Sequence, residues 1–480
     1  MTHLGIVGAG ASGAAALIAN LGRRDVDRIT LFDPNPVGHG IAFASEASWH
    51  LCNTSVGVMS LRADDPADFE GWLSRDGSPP ADEVFVPRRQ FRRYVADRLL
   101  GAIACGTAEG RSVDHVQARV TAIRTEGGRA LVALDDGASC RVDEVVLCAG
   151  VGAPRVPPAW ARLSGEASFF QSPYDERFDE FLRHDPGARV LVLGTNLTAV
   201  DAAKTILQRG GSVVMVSPTA VLPSVRTSLR RVPTHPIGLD EFTRLSADPS
   251  SFWDGYSSHL DQAGRDRGMP LRTQVSDAVG AVSRLADETA LAFEGRIPWQ
   301  ESVGEYIDLA NRVWSRLPGN HMRALSSVSA EWMKRHVSAI PIENAWALLS
   351  AHDDSRLDVR ELPDQVERKA GGWRVRWTVG QPRHFSAVVC AAGSERHPWR
   401  MTGDGVARLD RSAGGAIGID ADLNVQFPCR STAFPFRVIG DQTGSRFPVV
   451  NYMRTSVLQA HSAAGRSPHR DGITCDPPAG

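Results

Sequence analysis

The apolar runs of this chain are short, and several of them end at a glycine and lead into a helix-length stretch. LGIVGAGASG (residues 4–13) runs into the alanine-rich AAALIANL, and VLVLGTNLTAVDAAKTIL (residues 190–207) repeats this order of strand, turn and helix. Further strands are predicted at RITLFD, SVVMVSP, DEVVLCAG, FSAVVCAAG and FRVIGDQTG. Strands that alternate with helices predict an α/β fold.

The first turn has the spacing G-x-G-x-x-G of a dinucleotide-binding unit. Gly8 makes the tight turn, Gly10 lets a pyrophosphate approach the backbone, and Gly13 lets helix and strand pack closely. The helix that follows directs its N-terminal N–H groups at the phosphates. Asp33 ends the next strand twenty residues after Gly13, where an acid suits the ribose hydroxyls. The predicted cofactor-binding residues of the turn itself are Gly8, Gly10, Ala11, Ser12 and Gly13.

The second turn departs from this spacing, because Asn196 and Ala199 stand at the second and third glycine positions. Asparagine adopts positive φ at modest cost, so we expect Asn196 to keep the shape of the turn while its side chain limits the approach of phosphate. Such a weaker site suits a nucleotide that leaves in every cycle, although a structural relic is the alternative. The predicted residues are Gly194, Asn196, Leu197 and Thr198.

The strand after the second turn ends in Ser217, and Arg226 and Arg230 follow it. This strand therefore offers no acid that would hold a ribose 2′-hydroxyl and repel a 2′-phosphate. The sequence favours NADPH over NADH, and NADH stays open as an alternative.

Composition narrows the choice of partners. The 480 residues carry a net charge of −2, which gives no electrostatic reason to bind nucleic acid or an anionic membrane. No apolar run reaches the roughly 18–20 residues that span a bilayer. The seven cysteines are scattered without a C-x-x-C, which argues against a metal centre. We expect a cytoplasmic protein with a small-molecule substrate.

Residues 38–100 resemble a bacterial group of FAD/NAD(P)-binding flavoproteins that have two dinucleotide-binding domains and are similar to flavin-dependent N-hydroxylating monooxygenases. The turn GTNLTAVDAAKTILQRGGSVVMVSPTAVLP and the stretch VWSRLPGNHMRALSSVSAEWMKRHVSAIP resemble the same group. By this resemblance, Gly440 and Asp441 close the FAD site, and the strand ending at Gly150 crosses between the domains. The matching positions in residues 38–100 are His50, Asn53, Met59, Ser60, Phe69, Trp72, Pro87, Arg88 and Tyr94.

The resemblance implies two Rossmann-like domains with an added helical segment, the FAD domain being split between the chain ends. The predicted segments are 1–155 (FAD domain, first part), 156–235 (NAD(P) domain, first part), 236–345 (helical segment), 346–395 (end of the NAD(P) domain and return strand), 396–465 (FAD domain, second part) and 466–480 (loose tail).

The activity implied by the resemblance is an FAD-dependent, NADPH-consuming monooxygenation through a flavin C4a-hydroperoxide. The substrates would be O2 and the amine of a small amino-acid-like molecule such as aspartate, in a biosynthetic pathway. Because the flavin carries the oxygen chemistry, no catalytic triad is required. A flavin oxidase or dehydrogenase without oxygen insertion stays open, as does a non-catalytic FAD- or nucleotide-binding protein. An oligomer also stays open.

Candidate site residues follow from polar groups in the family-like segments. His50, Asn53 and Ser60 are the candidate catalytic residues beside the flavin. Arg88 is a candidate for the FAD pyrophosphate or a substrate carboxylate, since arginine makes bidentate contacts with either. For each of them an ordinary structural role is the alternative. The candidate substrate contacts in the helical segment are Arg323, Arg335 and His336.

The helical segment also carries an apolar stripe. Tyr306, Leu309, Ala310 and Val313 recur at helical spacing, which predicts a buried helix face. We expect this stripe to belong to the core and the segment to cap the cleft.

Overall fold

The structure is a computed structural model that describes residues 1–75, 84–230, 232–395, 399–409, 415–429, 431 and 433–465. The predicted tail 466–480 lies outside the described residues.

A first parallel sheet draws its strands from both ends of the chain. Its strands are β1 (Thr2–Val7), β2 (Val26–Phe32), β3 (Ser112–Val116), β7 (Glu144–Leu147) and β21 (Phe436–Val438). Their order is β21-β7-β1-β2-β3, and each neighbouring pair is parallel. The helices of this half are α1 (Ala11–Leu21), α2 (Asp68–Arg75), α3 (Arg88–Ala108) and α13 (Met453–Ala463).

The alanines of α1 explain how this half packs. Ala14, Ala15 and Ala16 are buried, and their small side chains let α1 contact both α3 and α13. Leu4 and Ile6 of β1 are fully buried, as expected for a central strand that is covered on both faces.

A second parallel sheet repeats the arrangement. Its strands are β8 (Phe169–Phe170), β9 (Arg189–Leu193), β10 (Ser212–Ser217), β13 (Leu357–Glu361) and β17 (Ala387–Cys390), in the order β13-β10-β9-β17-β8. The helices α4 (Glu176–His184), α5 (Leu197–Gln208) and α12 (Ile342–Asp353) belong to this half. In both sheets the strand before the glycine turn is central, with the next strand on one side and a late return strand on the other.

Antiparallel sheets accompany each parallel sheet. The first has the order β20-β18-β19-β4-β5-β6, from β4 (Val120–Glu126), β5 (Arg129–Leu134), β6 (Ser139–Val142), β18 (Arg400–Met401), β19 (Ala407–Arg408) and β20 (Gly415–Ala416). The second is β14 (Gln365–Lys369), β15 (Gly372–Arg376) and β16 (Arg383–Phe385). Trp373 and Phe385 of this second sheet share a core cluster with Leu191 and Val214 of the parallel sheet.

The helical segment packs into the core of the second half. Its helices are α6 (Leu239–Leu245), α7 (Phe252–Arg265), α8 (Ala281–Phe293), α9 (Ser302–Trp314), α10 (Gly319–Val328) and α11 (Ala330–Trp332), followed by a π-helical turn at Met333–Val337. The short strands β11 (Val225–Arg226) and β12 (Ile340–Pro341) pair beside it. The predicted stripe is confirmed as core, because Tyr306, Leu309, Ala310 and Val313 are all buried.

The mixed α/β architecture with Rossmann-like units is confirmed. The chain passes between the halves through connectors that pair with each other. Gly152 N donates to Glu395 O at 3.0 Å, and Arg155 N donates to Gly393 O at 2.9 Å. The halves are therefore linked by an antiparallel ribbon. The segment boundaries predicted from the sequence remain predictions.

A buried ion pair joins the halves away from this ribbon. Arg88, at the start of α3, places Nη2 2.7 Å from Asp201 Oδ2 of α5. The Tyr174 hydroxyl donates to the same carboxylate oxygen at 2.5 Å and accepts from Arg88 Nη1 at 3.0 Å. Arg88 Nε donates to Leu51 O at 3.2 Å, and the Asp201 side chain is only 2% exposed. Each charge is therefore satisfied by hydrogen bonds from both halves.

We predict that breaking this pair destabilises the protein strongly. Arg88→Met or Asp201→Asn should each lower the free energy of unfolding by about 3–5 kcal/mol, because each leaves a buried polar partner unsatisfied. The double variant should lose less than the sum of the single losses, since the remaining charge is then gone. Urea unfolding followed by tryptophan fluorescence measures these values.

Arg183→Met is the matched control, since Arg183 pairs with Asp179 on the surface of α4 and is 56% exposed. It should change the free energy of unfolding by at most about 1 kcal/mol. Strictly additive losses from the two buried substitutions would show that Arg88 and Asp201 do not act as a pair.

Candidate functional site: two glycine turns

The first glycine turn is built by close backbone contacts. Gly8 has φ +104°, and a Cβ atom there would lie 2.4 Å from Cys148 O of the return strand. A Cβ atom on Gly13 would lie 1.9 Å from Gly8 O. Gly10 differs, because its Cβ would meet only the backbone of Gly40, 3.1 Å from its Cα. The first and third glycines therefore serve the fold, while the second leaves room at the N-terminus of α1.

An acid and a closing segment complete this turn. Asp33 Oδ2 accepts from Ala9 N at 2.8 Å, which holds the carboxylate beside the turn. From the far end of the chain, Gly440 packs so closely that a Cβ there would lie 2.8 Å from Ser12 Oγ. Gly440 N donates to Gln459 Oε1 of α13 at 2.8 Å. Asp441 follows Gly440, so the structure brings Asp33, Ser12 and Asp441 to the region of this turn.

The second glycine turn repeats this geometry despite its altered sequence. Gly194 has φ +138°, and a Cβ there would lie 2.5 Å from the carbonyl oxygen of Ala391, which directly follows the return strand β17. Gly194 N donates to Val216 O at 2.8 Å, as Gly8 N does to Phe32 O at 2.8 Å. Asn196 caps α5 as Gly10 caps α1. The turn therefore keeps the backbone of a dinucleotide-binding unit.

The expectation that Asn196 adopts positive φ is wrong. Asn196 has φ −91° and ψ −168°, close to the φ −80° and ψ −160° of Gly10. The second position of this turn has an extended backbone, which any residue can adopt. A small side chain is needed there only so that a phosphate can approach closely. The Asn196 side chain is exposed and makes no capping hydrogen bond. Leu197 and Thr198 begin α5 beside it and are partly exposed.

Ser217 occupies the place in the second half that Asp33 has in the first. Thr195 Oγ1 donates to Ser217 Oγ at 3.0 Å, which parallels the contact between Ala9 and Asp33. The adjacent strand β13 places Glu361 in register with Ser217. An acid therefore lies on the neighbouring strand, which the linear sequence does not reveal.

Arg226 does not support the argument for a 2′-phosphate. Its side chain is buried, and Nη2 donates to the carbonyls of His336 at 2.9 Å and Val337 at 2.7 Å. Arg230 is exposed and lies 3.5 Å from Glu301. The preference for NADPH therefore rests on Ser217 and not on these arginines.

Gly150 lies at the start of the connector between the halves. It has φ +65°, and a Cβ there would meet nothing within 4 Å among the described atoms. It is exposed at the carboxyl end of β7, next to the turn that contains Gly8.

Arg88 and His50 do not face the glycine turns. Arg88 uses its three nitrogens on Leu51, Tyr174 and Asp201, so the geometry does not favour the predicted contact with pyrophosphate or carboxylate. His50 is buried, with Nδ1 2.6 Å from Ser45 Oγ and Nε2 2.9 Å from Thr205 Oγ1 of α5. Burial lowers the pKa of His50. Both of its ring nitrogens are engaged, and its catalytic role stays a prediction that these contacts do not favour.

Asn53 and Ser60 lie in the same loop and differ in availability. Ser60 Oγ donates to Asp65 O at 2.7 Å and accepts from Arg62 N at 3.0 Å, so it stabilises its own turn. Asn53 is partly exposed, and its side chain makes no hydrogen bond within the described part of the chain. Asn53 is therefore the loop residue whose amide can still meet a ligand.

The predicted substrate contacts of the helical segment separate in the same way. Arg323 is exposed on α10. Arg335 Nη2 donates to Glu288 Oε1 at 2.7 Å. The His336 ring packs on Trp299, with centroids 4.7 Å apart, and its pKa is lowered to about 3, first by burial and then by nearby arginines. His336 is therefore neutral and sits in an aromatic environment.

Sequence reasoning missed Asp201 and Tyr174. An acid inside the apolar stretch AVDAA of α5 is a signal for a buried, paired carboxylate. Tyr174 gives no such signal, because it lies in an irregular polar stretch between β8 and α4.

Comparisons with known proteins agree with this architecture. A family model described as FAD-NAD(P)-binding matches residues 5–152. No curated protein matches the sequence. None of the described helices is long and apolar enough to cross a membrane.

Two solved structures show the extent of the likeness. The chain is similar to L-lysine 6-monooxygenase from Pseudomonas syringae, with a TM-score of 0.52 and 16% identity over 97% of this chain and 98% of that chain. It is also similar to a mutant flavin monooxygenase from Stenotrophomonas maltophilia, with a TM-score of 0.51 and 13% identity over 97% and 98% of the two chains. Identities this low establish a shared fold. The family model therefore matches most of the first half of the fold, and the chain as a whole shares the fold of these two solved structures.

Proposed function

We propose that the protein is an FAD-dependent, NADPH-consuming monooxygenase that oxidises the amine of a small amino-acid-like substrate such as aspartate. The observation that carries this proposal is the repeated glycine turn. The two turns have the same backbone hydrogen bonds. Among the described residues, a segment from the far end of the chain closes the first turn at Gly440 and does not close the second turn. A closed site suits a resident cofactor and an open one suits a nucleotide that exchanges.

The residues at the first turn fit FAD. Gly10 leaves open space at the N-terminus of α1, and Asp33 stands beside the turn with its carboxylate held by Ala9 N. The backbone N–H groups at Ala11, Ser12 and Gly13 would hold the pyrophosphate. Asp441 would face the ribityl chain, by the family resemblance. FAD bound there would supply the redox and oxygen chemistry of this class.

The second turn would hold NADPH. Gly194, Asn196, Leu197 and Thr198 would lie along its pyrophosphate, and Ser217 would face the ribose. Because the exposed Asn196 side chain occupies the approach that Gly10 leaves open, this site would bind more weakly than the first. Such weakness is consistent with release of the nucleotide in each cycle.

The protein would contribute positioning and exclusion of water. The helical segment shares one hydrophobic core with the second half and would pack beside the bound nucleotide. Asn53 would hold a polar group near the flavin, because its side chain makes no hydrogen bond in the described part of the chain. Exclusion of water at such a site protects reactive intermediates from hydrolysis.

The decisive experiment follows reduction and oxygenation in separate steps. Purified protein should be yellow, and NADPH under nitrogen should bleach it faster than NADH. Readmission of 18O2 with L-aspartate or other amino acids should give a product that contains one labelled oxygen for each NADPH consumed, as measured by mass spectrometry.

Other outcomes identify the alternatives. Stoichiometric hydrogen peroxide without labelled product from any amino acid would make the protein an oxidase. A yellow protein that neither nucleotide reduces, with or without amino acids, would make it a non-catalytic binding protein. A faster response to NADH would direct attention to Glu361 beside Ser217.

We predict that Gly10→Val abolishes retention of FAD and leaves the fold intact. The Cβ atom of valine would lie 3.1 Å from Gly40 Cα, which a shift of a few tenths of an ångström relieves, and the side chain would occupy space that the pyrophosphate needs. The ratio of flavin to protein absorbance measures retention, and circular dichroism measures the fold. Gly101→Val is the control, because a Cβ on Gly101 meets nothing within 4 Å in the described structure. Full flavin content in Gly10→Val would contradict the assignment of this turn.

We predict that Asn196→Gly strengthens NADPH binding and leaves flavin content unchanged. The backbone of Asn196 already matches that of Gly10, so the substitution removes only the obstructing side chain. A gain of about 1 kcal/mol, roughly fivefold in the dissociation constant, is expected for a closer charged contact. Calorimetric titration of the oxidised protein with NADP+ measures it. Unchanged affinity would place the nucleotide away from Asn196.

A further inference from the structure

Arg226 is a buried arginine without an acidic partner. It is 2% exposed, and its Nη2 donates only to the backbone carbonyls of His336 and Val337. No carboxylate lies within ion-pair distance among the described residues. Its Nε atom is buried and has no hydrogen-bond partner there either. Burial lowers the pKa of Arg226 to about 10, although Tyr452 acts in the opposite direction. An uncompensated buried cation of this kind is costly unless a ligand supplies the anion.

The neighbouring charges do not compensate Arg226. Glu288 is engaged by Arg335 at 2.7 Å and lies 3.8 Å from Arg284, and it also accepts from Val225 N at 3.2 Å. Arg226, Arg284 and Arg335 all depress the pKa of His336, so they share its surroundings. Arg284 and Arg335 therefore share Glu288, and Arg226 pairs with no carboxylate among the described residues.

A π-helical turn places further unpartnered nitrogens in the same region. Met333–Val337 forms the turn, and such turns are often found at functional sites. Arg335 Nε and His336 Nδ1 are buried and have no hydrogen-bond partner in the described part of the chain. The Arg226 side chain is hydrogen-bonded to the carbonyls of this turn, so its Nε is a third unsatisfied nitrogen beside it, and we call these residues the Arg226 cluster. Ordinary protein interiors leave few such groups.

The Arg226 cluster lies where elements of both halves meet. Three residues after Arg226, Leu229 N donates to Ser55 Oγ of the loop 49–60 at 2.9 Å. Tyr452, which acts on the charge of Arg226, immediately precedes α13 of the first half. The cluster therefore adjoins the loop of Asn53 and the segment that closes the first turn.

We propose that Arg226 binds a carboxylate group of the substrate and so determines specificity for amino acids over simple amines. This inference rests on the proposed function for the identity of the substrate, but the carboxylate site itself does not require turnover. Arginine suits such a site, because its Nε–H can pair with an oxygen while Nη2 stays on the carbonyls. The phosphates of NADPH are the less favoured anion, since Ser217 and the N-terminus of α5 mark a different place for that nucleotide.

The test measures binding of succinate to the FAD-containing protein by calorimetry. Succinate has carboxylates but no amine, so it cannot be N-oxidised, and a failure of the proposed reaction leaves this result intact. Its uncharged diamide, succinamide, is the matched probe, and L-aspartate is the amino-acid probe. Arg226→Met removes the charge, Arg226→Lys keeps it, and Arg312→Met is a control on the exposed face of α9.

We expect succinate and L-aspartate to bind and succinamide not to bind. Arg226→Met should weaken the binding of both carboxylates at least about tenfold, Arg226→Lys should weaken it less, and Arg312→Met should not change it. Affinity for NADP+ should be unchanged in all variants. If Arg226→Met does not fold, the loss in Arg226→Lys decides the question.

Three results would overturn the proposal. The wild-type protein could bind neither carboxylate, or Arg226→Met could bind both as tightly as the wild type. In the third, the Arg226 variants would lose affinity for NADP+ and keep affinity for succinate, which would assign the cluster to a nucleotide phosphate.

Discussion

The two halves of the fold meet at a buried ion pair between Arg88 and Asp201. Burial of two charges costs several kcal/mol for each ion and is offset only when the geometry is good and the remaining polar atoms are satisfied. Here Leu51, Tyr174 and Asp201 satisfy the guanidinium, and Tyr174 gives the carboxylate a second hydrogen bond. A contact with so many matched distances tolerates little displacement. The pair therefore holds the start of α3 against α5.

The backbone of each turn could be predicted from sequence, because its demands are local. Gly8 and Gly194 need positive φ and a close approach to a return strand, and glycine is the residue that meets both requirements. The prediction of positive φ at Asn196 is wrong because the second position of the turn, unlike the first, does not require that conformation. In the structure this position is extended in both turns, so no backbone conformation requires a glycine there. An altered second glycine therefore reports on affinity and does not report on the fold.

Side-chain roles in the loop 49–60 could not be predicted in the same way. Sequence shows that His50, Ser60 and Arg88 are polar, but it does not show what they contact. His50 meets Thr205, which is 155 residues away, and Arg88 meets Tyr174, which is 86 residues away. Ser60, by contrast, meets its own turn. A polar side chain in an apolar loop predicts a ligand contact. In these residues it instead joins the two halves or stabilises its own loop.

Two buried arginines show how structure separates these cases. Arg88 has an acid, a hydroxyl and a carbonyl around its nitrogens, so the folded protein alone accounts for its burial. Arg226 is buried more deeply but meets only carbonyls, and its Nε has no partner among the described residues. Stability would favour an apolar residue at such a position, since replacement of a buried charge by a well-packed side chain is often neutral or stabilising. The cost of burying Arg226 in this way is the physical argument for an anionic ligand at its Nε atom.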